Sequence, residues 1–143
     1  MKILFVCSGN TGRSPMAEFV FKKLVAGDEN FVIESAASKP TSGGDLHEGI
    51  AAKLRAENIP YTKHNARQIT AADYQKFDKI ICMDSGNIAQ VKEICGGDPD
   101  DKIKLLLSYC GENADIPWDK NGFAKTYDDI LRGCKALLDS LKF

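Results

Sequence analysis

Apolar and polar positions along this chain fall into two kinds of block. Ile3-Leu4-Phe5-Val6 is a continuous apolar run. A strand covered on both faces of a parallel sheet reads this way, whereas a half-solvated strand alternates. After a turn of small residues, Ala17, Val20, Phe21, Leu24 and Val25 follow the i, i+3, i+4, i+7, i+8 spacing of a helix with one buried face. Ser14-Pro15 predicts its start, with serine as cap and proline in the first turn, and Gly27 predicts its end. The two kinds of block then take turns. Phe31-Val32-Ile33 predicts a second strand, and Leu46 to Glu57 a helix that stops near Asn58 and Pro60. Lys79 to Met83 predicts a third strand, Asn87 to Ile94 a helix closed by Cys95-Gly96-Gly97, and Lys102 to Leu107 a fourth strand. Asp98-Pro99, before that strand, reads as a turn. Thr126 to Leu141 predicts a last helix, with Ile130, Cys134, Leu137, Leu138 and Leu141 on one face.

Strands alternating with helices predict an α/β fold: a doubly wound four-stranded parallel sheet with helices on both faces. No repeat, linker or low-complexity tract interrupts the pattern, so residues 1–143 are expected to form a single domain. Ligands in such sheets sit at the carboxyl ends of the strands. The turn after the first strand, residues 7 to 13, is therefore where chemistry is expected.

Composition excludes some functions. Lys plus Arg is 19 and Asp plus Glu is 20, a net charge of −1 that gives no footprint for a nucleic-acid surface. Apolar runs are strand-length, too short for a signal core or a membrane span. Five cysteines, an odd number without tight spacing, read as reduced thiols. A soluble cytoplasmic protein is expected, with no nucleic-acid or membrane partner. His47 and His64 are the only histidines and lie far apart in sequence, so no metal site and no cofactor are expected.

The first turn reads Cys7-Ser8-Gly9-Asn10-Thr11-Gly12-Arg13-Ser14-Pro15. Five small or flexible residues separate Cys7 from Arg13, and they can curl so that their amides converge on an anion at the start of the next helix. Arg13 can fork two hydrogen bonds to a phosphate. Amides, helix dipole and guanidinium all favour a Cys7 thiolate, which would lie under a tetrahedral phosphate in position for in-line attack. A cysteine ending a buried strand is otherwise a packing residue. What argues against that here is the strand before the loop, the glycines within it and the helix start after it.

The segment resembles the signature of the low-molecular-weight protein tyrosine phosphatases, Cys-x-Gly-Asn-x-Cys-Arg-Ser-Pro. It matches at Cys7, Gly9, Asn10, Arg13, Ser14 and Pro15, and continues into Met16-Ala17-Glu18. Further resemblances lie at Glu34-Ser35-Ala36, at His64-x-Ala66-Arg67-Gln68 and at Met83-Asp84-x-x-Asn87, so they span nearly the whole chain. The resemblance implies a hydrolase that dephosphorylates phosphotyrosine in proteins through a phosphocysteine intermediate. Cys7 would be the nucleophile, and Arg13 with the loop amides of Ser8 to Arg13 would hold the phosphoryl oxygens. Asn10 would hold a left-handed turn, and Ser14 would hydrogen-bond the nucleophile. Ser35 and His64 would support the loop. The partners implied are a phosphorylated protein substrate and inorganic phosphate, as product or inhibitor.

Two positions depart from the family's pattern. Gly12 stands where the family commonly has a second cysteine, so oxidised Cys7 would have no neighbouring thiol to trap it as a disulfide and would proceed more readily to irreversible acids. The family's general acid is the Asp of an Asp-Pro-aromatic motif, but this chain reads Asp115-Ile116-Pro117-Trp118-Asp119. Asp115 is the expected acid, with Asp119 the alternative, and Trp118 is expected to wall the cleft against an aromatic ring. Three rival functions follow. Thr11, where tyrosine-specific members often carry a bulkier apolar residue, resembles the family's protein-arginine phosphatases. The irregular acid motif allows a non-catalytic phosphate-binding module. An arsenate reductase would need two closely spaced cysteines after the third strand, and Cys82 and Cys95 do not fit that spacing.

Overall fold

The computed structural model describes residues 1–142. In chain order the elements are β1 (Lys2–Cys7), α1 (Arg13–Leu24), β2 (Val32–Ala37), α2 (Glu48–Ala56), α3 (Ala71–Lys76), β3 (Lys79–Cys82), α4 (Ser85–Cys95), β4 (Ile103–Leu105), a 3-10 turn (Leu106–Cys110) and α5 (Ala124–Ser140). The four strands form one parallel sheet in the order β2-β1-β3-β4. Among the described residues no helix is long and apolar enough to cross a membrane.

The unbroken apolar run of β1 is explained by its central place. Side chains alternate across a strand, and both sides are covered. Ile3, Phe5 and Cys7 join Met16, Val20 and Phe21 of α1 and Ile130, Cys134 and Leu137 of α5. Leu4 and Val6 join Ile80, Cys82, Tyr74, Phe77 and Val91 on the face of α3 and α4. Gly133 lets α5 approach closely: a Cβ there would lie 2.5 Å from the Leu106 side chain.

Some elements differ from the sequence expectation. Residue Ser14 is not the cap of α1. Gly12 is the N-cap, without a side-chain hydrogen bond, and the Ser14 hydroxyl turns into the loop instead. The second strand begins at Val32 and runs on to Ala37, because its polar residues Glu34 and Ser35 still pair with Leu4 and Phe5. The fourth strand stops at Leu105, and Leu106 and Leu107 stay buried within the 3-10 turn. The short α3 was not foreseen; six residues are too few for a readable period, and the Thr70–Asp73 capping box is what sets its start.

From β1 the chain crosses to β2 on one side, then to β3 on the other. The order therefore reverses beside β1, and the crevice at such a switch point opens at the carboxyl ends of β1 and β3. Three segments converge there. The β1–α1 loop follows Cys7. Residues 67–69 bracket Ala37, which donates to the Arg67 carbonyl at 2.7 Å and accepts from the Ile69 amide at 2.8 Å. A late loop is tied in where the Ile116 amide donates to the Met83 carbonyl at 2.8 Å.

Candidate active site

Residue Cys7 is buried at the end of β1, with its sulfur at the bottom of a cleft of about 200 Å³ lined by residues 7–13 and Trp118. Two donors reach that sulfur. The Asn10 amide lies at 3.3 Å and the Ser14 hydroxyl at 3.0 Å. Ser14 Oγ accepts from Asn10 Nδ2 at 2.9 Å, and of the two acceptors its own hydrogen can reach, the Cys7 sulfur at 3.0 Å is nearer than the Ala36 carbonyl at 3.5 Å. Among the described residues, the amides of Gly9, Thr11 and Gly12 donate to no protein acceptor. Together with the uncapped start of α1 they form a concave row of donors, the arrangement that binds an anion.

Asn10 organises the loop. Its φ of 58° is left-handed, a conformation asparagine tolerates better than most residues. It is fully buried, and all its polar groups are engaged. Nδ2 donates to Ser14 and to Ser35 Oγ, each at 2.9 Å. Oδ1 accepts from the Arg67 amide at 3.1 Å, and the carbonyl accepts from His64 Nε2 at 2.7 Å. His64 therefore carries its hydrogen on Nε2. Its own amide, with that of Leu46, holds the Asp45 carboxyl below the ordinary carboxylate range. Ser35 donates onward to Glu18 Oε1 at 2.6 Å.

Residue Arg13 is aimed by two acceptors on one nitrogen. Nη1 donates to Asp84 Oδ2 at 2.8 Å and to the Ile116 carbonyl at 2.9 Å. Nε and Nη2 remain for a ligand, since they have no protein acceptor among the described residues. Asp84 is fixed by a capping box with Asn87 at the start of α4. Asn87 Nδ2 in turn donates to Ser8 Oγ at 3.1 Å. One helix terminus thus grips both ends of the loop.

The two candidate acids differ in their surroundings. Asp115 is exposed; its Oδ1 accepts from the Ser85 amide at 2.9 Å, and it adjoins the residue that anchors Arg13. Asp119 accepts from the Asn121 amide, in the turn before α5, at 3.0 Å and from the Lys125 amide, in the first turn of α5, at 3.1 Å, one on each oxygen. Neither carboxylate is among the groups that line the cleft. Ile116, directly before Pro117, is buried. Trp118 does line the cleft, and its ring lies over Gly12 so closely that a Cβ there would sit 2.3 Å from it. The ring packs edge-on against His47 and Phe123, at centroid distances of 5.2 and 4.7 Å.

Ser8, Gly9, Asn10, Thr11, Gly12, Arg13 and Trp118 thus meet around Cys7, while Ser14, Ser35 and His64 stand behind the loop. Asp84, Asn87 and Glu18 were not given roles from the sequence. The Asp-x-x-Asn spacing is a readable helix start, but nothing in it says that Asp84 faces Arg13. The remaining cysteines are free. Burial pushes the thiols of Cys82, Cys95 and Cys134 up.

A family model described as low molecular weight phosphotyrosine protein phosphatase matches residues 2–143. The pig low molecular weight phosphotyrosine protein phosphatase is 34% identical, over 98% of this chain and 95% of its own. The low molecular weight protein-tyrosine-phosphatase YfkJ of Bacillus subtilis is 36% identical, over 99% of this chain and 96% of its own. The crystal structure of YfkJ superposes with a TM-score of 0.91, covering 99% of this chain and 94% of that one. A Drosophila arginine phosphatase has the same fold, with a TM-score of 0.85 and 29% identity over 100% of this chain and 99% of its own.

Proposed function

The chain belongs to the low molecular weight phosphotyrosine protein phosphatase family, and from that premise we propose how its loop hydrolyses phosphotyrosine in proteins. The enzyme is a cysteine-dependent hydrolase. Its substrates are phosphorylated proteins and its product is inorganic phosphate.

A phosphate dianion seated in the cleft accepts from the amides of Gly9, Thr11 and Gly12 and from Arg13. These donors are already in place, so little reorganisation is needed as charge shifts in the transition state. The Cys7 thiolate attacks phosphorus in line. An S–P bond forms, the P–O bond to tyrosine breaks, and the leaving phenolate takes a proton from Asp115. Water, deprotonated by the same carboxylate, then attacks the phosphocysteine, and phosphate leaves with the thiolate restored. Asp115 is preferred over Asp119 because one of its oxygens is unengaged, whereas both oxygens of Asp119 already accept backbone amides, those of Asn121 and Lys125. Trp118 offers its face to the substrate ring.

The observation that carries this reading is the convergence of two donors on the Cys7 sulfur beneath a row of unpartnered amides. Hydrolysis of an aryl phosphate is expected to fall to background in Cys7→Ser. Equal rates would instead make the loop a phosphate-binding module. A second reading rests on Thr11, which lines the cleft and carries a hydroxyl that a guanidinium could meet. Phosphoarginine peptides would then be turned over faster than phosphotyrosine peptides, and Thr11→Ile would reverse the ratio.

A further inference from the structure

A second concavity, of about 340 Å³, lies along α1. Its floor is Phe19, Ala26, Pro60 and Tyr61, with the Phe19 and Tyr61 rings edge to face at 6.3 Å. Its charged groups are Lys22 and Lys23, and no carboxylate lines it. The volume suits a small molecule. The floor calls for an apolar ring or chain, and the two ammonium groups call for an anion.

Lys22 is also the first link of a path to the nucleophile. Its Nζ donates to Glu18 Oε2 at 2.5 Å. Glu18, only 8% exposed, accepts from Ser35 at 2.6 Å on its other oxygen. Ser35 accepts from Asn10 Nδ2 at 2.9 Å, and the same nitrogen donates to Ser14 at 2.9 Å. Ser14 lies 3.0 Å from the Cys7 sulfur. Every step is at hydrogen-bond distance.

We propose that this groove binds a small organic anion, an apolar ring or chain bearing one carboxylate, and that the bound carboxylate slows the phosphatase by drawing Lys22 away from Glu18. Losing its ammonium leaves Glu18 a buried charge with Ser35 as its remaining donor among the described residues. An unpaired buried charge is costly, and its surroundings rearrange to relieve it. That rearrangement passes through Ser35 to Asn10 and Ser14, which hold the loop and the sulfur. Lys23 donates to the Asn58 carbonyl at 3.0 Å and touches no member of this path. It contributes to affinity but not to coupling. The coupling rests on the catalytic reading above; the binding does not.

The probe is 4-phenylbutyrate, titrated into isotope-labelled protein whose cleft is saturated with inorganic phosphate. Amide shifts are expected at Phe19, Ala26 and Tyr61 and, through the path, at Ser35 and Asn10. The neutral 4-phenylbutanamide is expected to bind at least tenfold more weakly, as is the acid to Lys23→Met. At saturation the acid is expected to lower kcat for an aryl phosphate at least twofold. Lys22→Met should have a reduced kcat without ligand and no further response, while Lys23→Met should respond in full once saturated. Shifts confined to residues 7–14 and Trp118, or equal affinity for acid and amide, would overturn the site. A filled groove with unchanged kcat would overturn the coupling. Should the protein hydrolyse no aryl phosphate at all, the shifts still decide whether the groove binds.

Discussion

Gly12 and Trp118 share one space, and only a residue without a side chain lets the ring lie where it does. Gly12→Ala is expected to push the ring outward. Trp118 is the sole tryptophan, so intrinsic fluorescence reads the displacement directly. KM for aryl phosphates should rise several-fold, and in a Trp118→Ala background the same substitution should be nearly silent, a non-additivity that marks direct contact. The acids separate as cleanly. Asp115→Asn is expected to lower kcat by about 10²–10⁴, and to remove the fall in rate on the alkaline side that a required proton donor imposes. Asp119→Ala removes the acceptors of the Asn121 and Lys125 amides at the start of α5, so it should cost about 1 kcal/mol of stability by denaturant titration and leave kcat within a few-fold. The meeting of Cys7 and Arg13 around one cleft was legible in the sequence because both lie within one contiguous loop. Asp84 and Glu18 were not, because their roles arise only when β3 and α1 are placed beside that loop.

Helix and strand periods read well where an element is long and has one chemical surrounding. The run Ile3 to Val6 and the stripe from Ile130 to Leu141 are of that kind. Legibility failed where a polar side chain has a local task. Ser14 looks like a cap, yet its hydroxyl serves the Cys7 sulfur. α3 has no readable stripe and depends on Asp73, which accepts from the Thr70 amide at 2.8 Å and pairs with Arg67. Burial works against the Asp73 charge, but the Arg67 side chain and the Thr70 amide outweigh it and hold the carboxyl below its usual range. A carboxyl lowered on folding adds stability above its unfolded value of about 3.9 and loses it as pH falls through the folded value. Asp73→Asn is therefore expected to destabilise the protein by about 1–2 kcal/mol at pH 7. Its unfolding curve should approach that of the wild type as the pH falls below the unfolded carboxyl value of about 3.9 and through the lower folded one. A difference that stays constant with pH would mean that the carboxylate's charge is not what holds the helix start. Asp98, in the turn before β4, is held below its range by the Tyr74 hydroxyl and the Lys102 and Ile103 amides, against its burial. It should follow the same sign.

Across the whole molecule, the loop between β1 and α1 is where otherwise separate parts are fastened together. Ser8 is held by α4, Asn10 by β2 and the 64–67 segment, and Arg13 by Asp84 and the late loop. A ligand that binds this loop binds only the assembled fold, so it must stabilise the fold by mass action. Inorganic phosphate at a hundred times its dissociation constant is expected to add about 2.7 kcal/mol. For a chain of this length that is a rise in Tm of about 8 °C. Arg13→Ala should lower Tm without ligand, because Asp84 and the Ile116 carbonyl lose their donor, and should also abolish most of the phosphate-dependent rise. These two effects separate the residue's structural role from its ligand role. A variant destabilised elsewhere, such as Asp119→Ala, should keep the full rise. If Arg13→Ala kept it too, the anion would be held by amides alone, and the near-neutral net charge would then have no localised positive group at the site to set against it.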